Sequence, residues 1–116
     1  MILRKLLPFL TIIGLCSLNN FSLAQKVYRV EYASQADYKI FVVEYESQCD
    51  LKVFHVDYSS QANSDGKWFS VEYASQANYK VYFVEYASQA DLKIYYVDYV
   101  SQTGWRNKSK SYMFKF

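Results

Sequence analysis

Beyond its first 24 residues this chain has a single cysteine, no proline and no excess of either charge. Each lack excludes something. Cys49 alone cannot form an intramolecular disulfide, so the covalent support on which small exported domains often rely is missing and stability must come from packing or topology. The absence of proline leaves its apolar, β-favouring runs unbroken, which would make any exposed strand edge an aggregation hazard. Without residues 1–24 the chain carries eleven basic and eleven acidic residues and a formal net charge of zero. Nucleic-acid binding rests on clustered cations, and interleaved Lys, Asp and Glu supply no such footprint.

Residues 1–24 read as a secretory signal peptide. Arg4 and Lys5 form the positive start, an apolar run extends from Leu6 to Leu18, and Ser22-Leu23-Ala24 offers small residues for cleavage before Gln25. The run is shorter than the roughly 20 residues a spanning helix needs, so no membrane anchor is expected after cleavage. Cys16 follows Leu15, which disfavours lipoprotein processing. The expected location is periplasmic or secreted, and residues 25–116 form one small domain whose core is limited by its size.

What the chain does have is repetition. The pattern Val-(Glu/Asp)-Tyr-x-Ser-Gln begins at Val30, Val43, Val56, Val71, Val84 and Val97, giving spacings of 13, 13, 15, 13 and 13 residues. Each unit joins a β-branched and aromatic run to a polar Ser-Gln segment, which predicts strand followed by turn. Seven strands are expected: 26–32, 38–45, 51–58, 67–73, 79–86, 92–99 and a closing one from Tyr112 to Phe116, with turns of about five residues and no helix after Gln25. Apolar groups occur on both parities, so both strand faces want cover. The class is all-β, and a sandwich, a barrel and a stacked coil all fit the period. Lys39, Lys52, Lys80 and Lys93 stand near strand starts as gatekeepers against edge pairing.

The repeated Val-(Asp/Glu)-Tyr-x-Ser-Gln-Ala-Asp-x-Lys-Val-Tyr units, the central Gly66-Lys67-Trp68-Phe69 and the closing Gly104-Trp105-Arg106-Asn107-Lys108-Ser109-Lys110 resemble the bacterial 7(1) septoil knot domain family over residues 26–113. Local departures are Cys49 and Thr103 in alanine positions and Ser64-Asp65 lengthening the central turn. The resemblance implies a small β domain whose backbone forms a deep seven-crossing torus knot, in a family without an established function. Threaded connections are rare, and such a knot would slow unfolding and favour kinetic stability.

Six near-identical copies single out no site. The Ser-Gln pairs read as turn-capping groups rather than a ligand ladder. The acids Glu31, Glu44, Asp57, Glu72, Glu85 and Asp98 would serve a hydrolase or a hard cation only if two of them met; cross-strand ion pairs with the repeated lysines explain them more simply. His55 and Cys49 lack the further ligands a metal needs, so Cys49 reads as a small buried residue and His55 as a partly exposed strand position. No cofactor is implied.

Positions that break the repeat are the better candidates. Lys67 and Trp68 in the central turn, and Trp105, Arg106 and Lys108 near the end, combine an indole with cations able to stack on a planar ligand and hold an anion. The competing expectation places both tryptophans in the core. The sequence points to an exported, monomeric, non-enzymatic structural or binding module, with an envelope polymer or protein as partner. The alternatives are a small hydrolase using paired acids and a β protein that self-assembles through its edges.

Overall fold

The structure, a computed structural model, describes residues 25–114; the expected signal peptide lies outside them. Seven strands form: β1 (Gln25–Arg29), β2 (Tyr38–Val42), β3 (Leu51–His55), β4 (Lys67–Ser70), β5 (Tyr79–Phe83), β6 (Leu92–Tyr96) and β7 (Gly104–Trp105). They make one sheet in the order β4-β1-β5-β2-β6-β3-β7, and β4 also pairs with β3. The first six strands thereby close into a barrel in which every pairing is parallel, and β7 adds antiparallel to β3. Closure removes most of the free edge that the proline-free runs made hazardous.

Consecutive strands are not neighbours, with the exception of β3 and β4. Arg29, which ends β1, and Tyr38, which begins β2, both stand in register with Val81 of β5. Val30 N–H donates to the Val81 carbonyl and Asp37 N–H to the Lys80 carbonyl. The connection 30–37 therefore leaves the sheet on one side of β5 and re-enters it on the other. Because the barrel interior is filled, it crosses β5 on the outside. In the same way 43–50 crosses β6, 71–78 crosses β1 and 84–91 crosses β2. The arrangement is reciprocal: β5 lies under the arch that leads into β2, and β2 lies under the arch that leads out of β5. The two-residue insertion Ser64-Asp65 falls in the one step that joins adjacent strands, β3 to β4.

The expected strands were too long at their C-terminal ends. Each Val-(Glu/Asp)-Tyr tail ends the strand pairing and begins a connection, which in all but the β3–β4 step must pass over a neighbouring strand and so is wider than a five-residue turn. Every arch also contains one 3-10 turn at its Ser-Gln pair, for example Ala33–Gln35 and Ala87–Gln89, which corrects the expectation of no helix. The segment expected as a closing strand is, over its described part, the end of a 3-10 helix spanning Lys108–Phe114, and the seventh strand is Gly104–Trp105 instead.

The acid or amide that ends a unit caps the strand its arch crosses. Asp37, Asp50, Asn78 and Asp91 accept the backbone N–H groups of Lys80, Lys93, Lys26 and Lys39. A carboxylate placed here satisfies a strand donor that the arch would otherwise leave open.

The ladder register sorts the inward side chains into layers. Moving from strand to strand with the stagger that closes the barrel, Trp68, Val27, Val81, Ile40, Ile94 and Val53 fall on one level, and none is more than 4% exposed. On the level below lie Gln25, Tyr79, Tyr38, Leu92, Leu51 and Gly66. Phe114 closes this lower end, with its ring centroid 4.7 Å from Tyr79, 5.2 Å from Tyr38 and 5.9 Å from both Trp68 and Trp105. Gly66 has φ +93°, and a Cβ there would meet the Lys52 carbonyl oxygen at 2.3 Å, so only glycine fits.

Candidate binding site at the open mouth of the barrel

The level above the central layer holds Ser70, Arg29, Phe83, Val42, Tyr96 and His55, in that order around the barrel. Each of these residues ends its strand, β4 after four residues and the others after five, and all lie above the sealed layer. In the chain this position is framed by near-constant neighbours: Lys-Val-Tyr-Arg-Val, Lys-Ile-Phe-Val-Val, Lys-Val-Phe-His-Val, Lys-Trp-Phe-Ser-Val, Lys-Val-Tyr-Phe-Val and Lys-Ile-Tyr-Tyr-Val. A frame written six times thus presents six different side chains at one end. That contrast was available in the sequence, but only the layer geometry shows that the odd positions converge.

Ligand sites in parallel barrels gather where strands end and their loops begin. Here a cavity of about 220 Å³ is lined by Arg29, His55, Ser70, Phe83 and Tyr96, over a floor of Val27, Trp68 and Val81. The Arg29 guanidinium carbon lies 5.0 Å from the Phe83 ring centroid, a cation–π contact. His55 and Tyr96 face each other at 5.2 Å with 31° between their planes. Partial burial lowers the His55 pKa from its usual value, favouring the neutral imidazole. Burial likewise raises the Tyr96 phenol, against a downward pull from Arg29. No carboxylate lines the cavity, and the two ion pairs found among the described residues join Lys52 to Glu46 and Lys110 to Asp50, leaving Arg29 outside both.

The structure brings together the two segments that break the repeat, yet uses them to close the fold. Asp65 accepts the Gln25 side-chain amide at 2.7 Å and the Trp105 indole N–H at 2.6 Å. Gln25, fully buried, accepts Gly66 N–H and the Trp68 indole N–H at 2.9 Å. Trp68 is 0% exposed and packs in the central layer, beneath the mouth whose floor it helps to form. Trp105 is half-buried against Phe114. Lys67 is half-buried, while Arg106 and Lys108 are exposed at the opposite end from the mouth. These five residues therefore do not assemble around one indole face.

The remaining motifs have structural explanations. Gln61 accepts the backbone N–H groups of Asp57 and Tyr58, and Gln102 accepts that of Tyr99. Cys49 is 2% exposed, and burial pushes its thiol pKa up. The six repeated acids are exposed on separate arches, and the cross-strand ion pairs expected for them are absent among the described residues. The ion pairs that do form use other acids and do not join two strands: Asp50 pairs with Lys110 of the 3-10 helix at 3.3 Å, and Glu46 lies 4.0 Å from Lys52. No group of three or more His, Cys, Asp or Glu side chains is placed to hold a metal among the described residues. A depression of about 1180 Å³ is a shallow trough outside the barrel between the arches of Glu31 and Glu85. Comparable troughs of about 700 and 590 Å³ recur beside other units and reflect the period of the fold.

No curated protein and no solved structure matches the chain. A match to the family described as 7(1) septoil knot domain covers residues 24–106, which includes all seven strands and ends before the Lys108–Phe114 plug. With that match spanning most of its length, the chain belongs to the 7(1) septoil knot domain family.

Proposed function

We propose that this protein is an exported, non-enzymatic binding module: a barrel whose backbone closes into a 7(1) torus knot, kinetically stabilised by that topology, with one chemically varied mouth. The observation that carries the reading is the contrast between the repeated frame and the ring Arg29, Val42, His55, Ser70, Phe83 and Tyr96. The other inward positions are accounted for by packing, by the hydrogen bonds of buried Gln25 and by the close approach of Gly66 to the Lys52 carbonyl. Repetition does not explain six different side chains on one open level above a floor of sealed hydrophobic groups.

Reciprocal crossing of strands and arches supports the knot, since neither half of the chain can be withdrawn without passing under connections of the other. A threaded chain resists unfolding kinetically and needs no disulfide, which suits an exported domain whose one cysteine is buried. The placement of the repeated acids, one per arch and outside the mouth, favours binding over a hydrolase built on paired carboxylates. Barrel closure favours a monomer over assembly through strand edges.

His55 is the chain's one histidine, so its imidazole resonances report on the mouth without ambiguity. The test is an NMR screen of residues 25–116 against a mixed collection of neutral, cationic and anionic small molecules. Saturable shifts of the His55 signals support the module. A collection in which no compound moves them removes the mouth as a binding site and leaves a scaffold.

A further inference from the structure

Resting on that reading, we infer that the mouth selects a small planar organic anion, an aromatic or otherwise flat carboxylate, held by Arg29 at its charged end and by the His55–Tyr96 wall along its body.

The charge of the cavity sets the sign. Arg29 is the one lining residue with a permanent charge, and no Asp or Glu lines the cavity with it. Its guanidinium carbon lies over the Phe83 ring, 5.0 Å from the centroid, and a guanidinium carries five N–H donors in a planar fork. A guanidinium edge matches a carboxylate in two parallel hydrogen bonds. Glu31 and Glu85 line the trough on the outer side of Arg29, but neither lies within 4.0 Å of it. They compete with a ligand from the solvent side, not from within the cavity. The other polar groups at the mouth are the Ser70 hydroxyl, the Tyr96 phenol and the His55 imidazole, all able to donate to an anionic oxygen.

The shape sets the rest. His55 and Tyr96 are inclined by 31° at 5.2 Å, forming an aromatic wall next to Ser70 and across the ring from the Arg29–Phe83 pair. Val27, Val81 and the covered Trp68 make the floor apolar. A volume of about 220 Å³ corresponds to roughly seven waters at ~30 Å³ each. That space accepts a single aromatic ring with its carboxylate and is small for a nucleotide or an oligosaccharide. A flat body would displace water from the apolar floor, while its carboxylate meets the cation at the rim. A spherical inorganic anion would gain the second contact alone.

Benzoate, benzamide and inorganic phosphate separate these contributions. Titrations follow the His55 resonances of the wild-type chain and of Arg29→Gln, an exposed position whose substitution leaves the core layers intact. Benzoate is expected to give saturable shifts, with benzamide and phosphate each at least about tenfold weaker, a difference of about 1.4 kcal/mol. Arg29→Gln should remove the preference for benzoate over benzamide while its thermal melting stays close to wild type. The inference is overturned if benzamide binds as tightly as benzoate, if phosphate matches benzoate, or if the preference survives Arg29→Gln. Each of these leaves a functioning mouth of different selectivity. Silence of all three probes, together with hits from neutral or cationic members of the wider collection, overturns the anion inference alone. Silence throughout the collection overturns the underlying reading as well.

Discussion

The Asp65 carboxylate accepts the Trp105 indole N–H at 2.6 Å across 40 residues of sequence. Through its other oxygen Asp65 holds Gln25, the first residue of β1, at 2.7 Å. One side chain from the two-residue insertion therefore ties the beginning of the barrel to its last strand. Asp65→Ala is expected to destabilise the protein by about 1–3 kcal/mol, because it leaves a buried amide and a half-buried indole donor without their charged acceptor. Denaturant titration of the variant measures this; a change within a few tenths of a kcal/mol would show that the closure is incidental.

Two aromatic residues of one short 3-10 helix make a sharp comparison. Phe114 is 2% exposed and contacts four rings, whereas Tyr112 is 70% exposed. Phe114→Ala should cost about 3–5 kcal/mol through lost burial and an unfilled cavity, and Tyr112→Ala should lie within about 0.5 kcal/mol of wild type. Equal effects of the two substitutions on thermal melting would contradict the plug.

The same helix is anchored by Asp50. Burial by itself would raise the Asp50 pKa, but the Lys93 N–H, the Asn107 amide and the Lys110 ammonium outweigh it and hold the carboxyl below its ordinary value of 3.8. A folded value below the unfolded one means that the carboxylate's stabilising contribution is complete above the unfolded value and is lost as the pH falls through the folded one. Asp50→Asn should lower stability at neutral pH and flatten the acid limb of a stability profile below about pH 4. An unchanged acid limb would show that other carboxylates control it.

His55 responds at higher pH. Partial burial depresses its pKa below the ordinary 6.5, so the folded state resists protonation and the histidine's contribution, complete above 6.5, is lost as pH falls through the folded value. An NMR titration of the one imidazole should therefore have its midpoint below that of the urea-unfolded chain. A midpoint at or above the unfolded one would mean that the mouth does not desolvate the ring.

Threading should be visible in the unfolding rate. Asn63 is exposed in the connection between β3 and β4, where a protease site can be inserted and then cut without disturbing the ladder. The intact chain is expected to unfold in strong denaturant much more slowly than the cut one, although both show the same far-UV spectrum at the start. Matching unfolding rates would argue that the crossings impose no kinetic constraint.

Much of this molecule is legible before folding is considered. The period, the strand composition and the central insertion determine an all-β repeat domain, and the buried Cys49 follows from its alanine slot. Local chemistry suffices for these because propensity and turn formation act over a few residues. The sequence overestimates strand length, misplaces the seventh strand and assigns the acids to ion pairs that do not form, since each depends on which segment crosses which.

Only the tertiary structure decides that consecutive strands other than β3 and β4 stand apart, that β1, β2, β5 and β6 each run beneath an arch from a distant unit, and that Arg29, His55, Ser70, Phe83 and Tyr96 share one mouth. A 13-residue period states that an equivalent position recurs, but not around which axis or at what stagger. Those are set by the closed ladder, in which parallel register, filled layers and outside crossings must be satisfied together. Trp68 shows the same division: its sequence neighbours allow it to bind or to pack, and the Gln25 acceptor, Phe114 and the central layer leave it only the core.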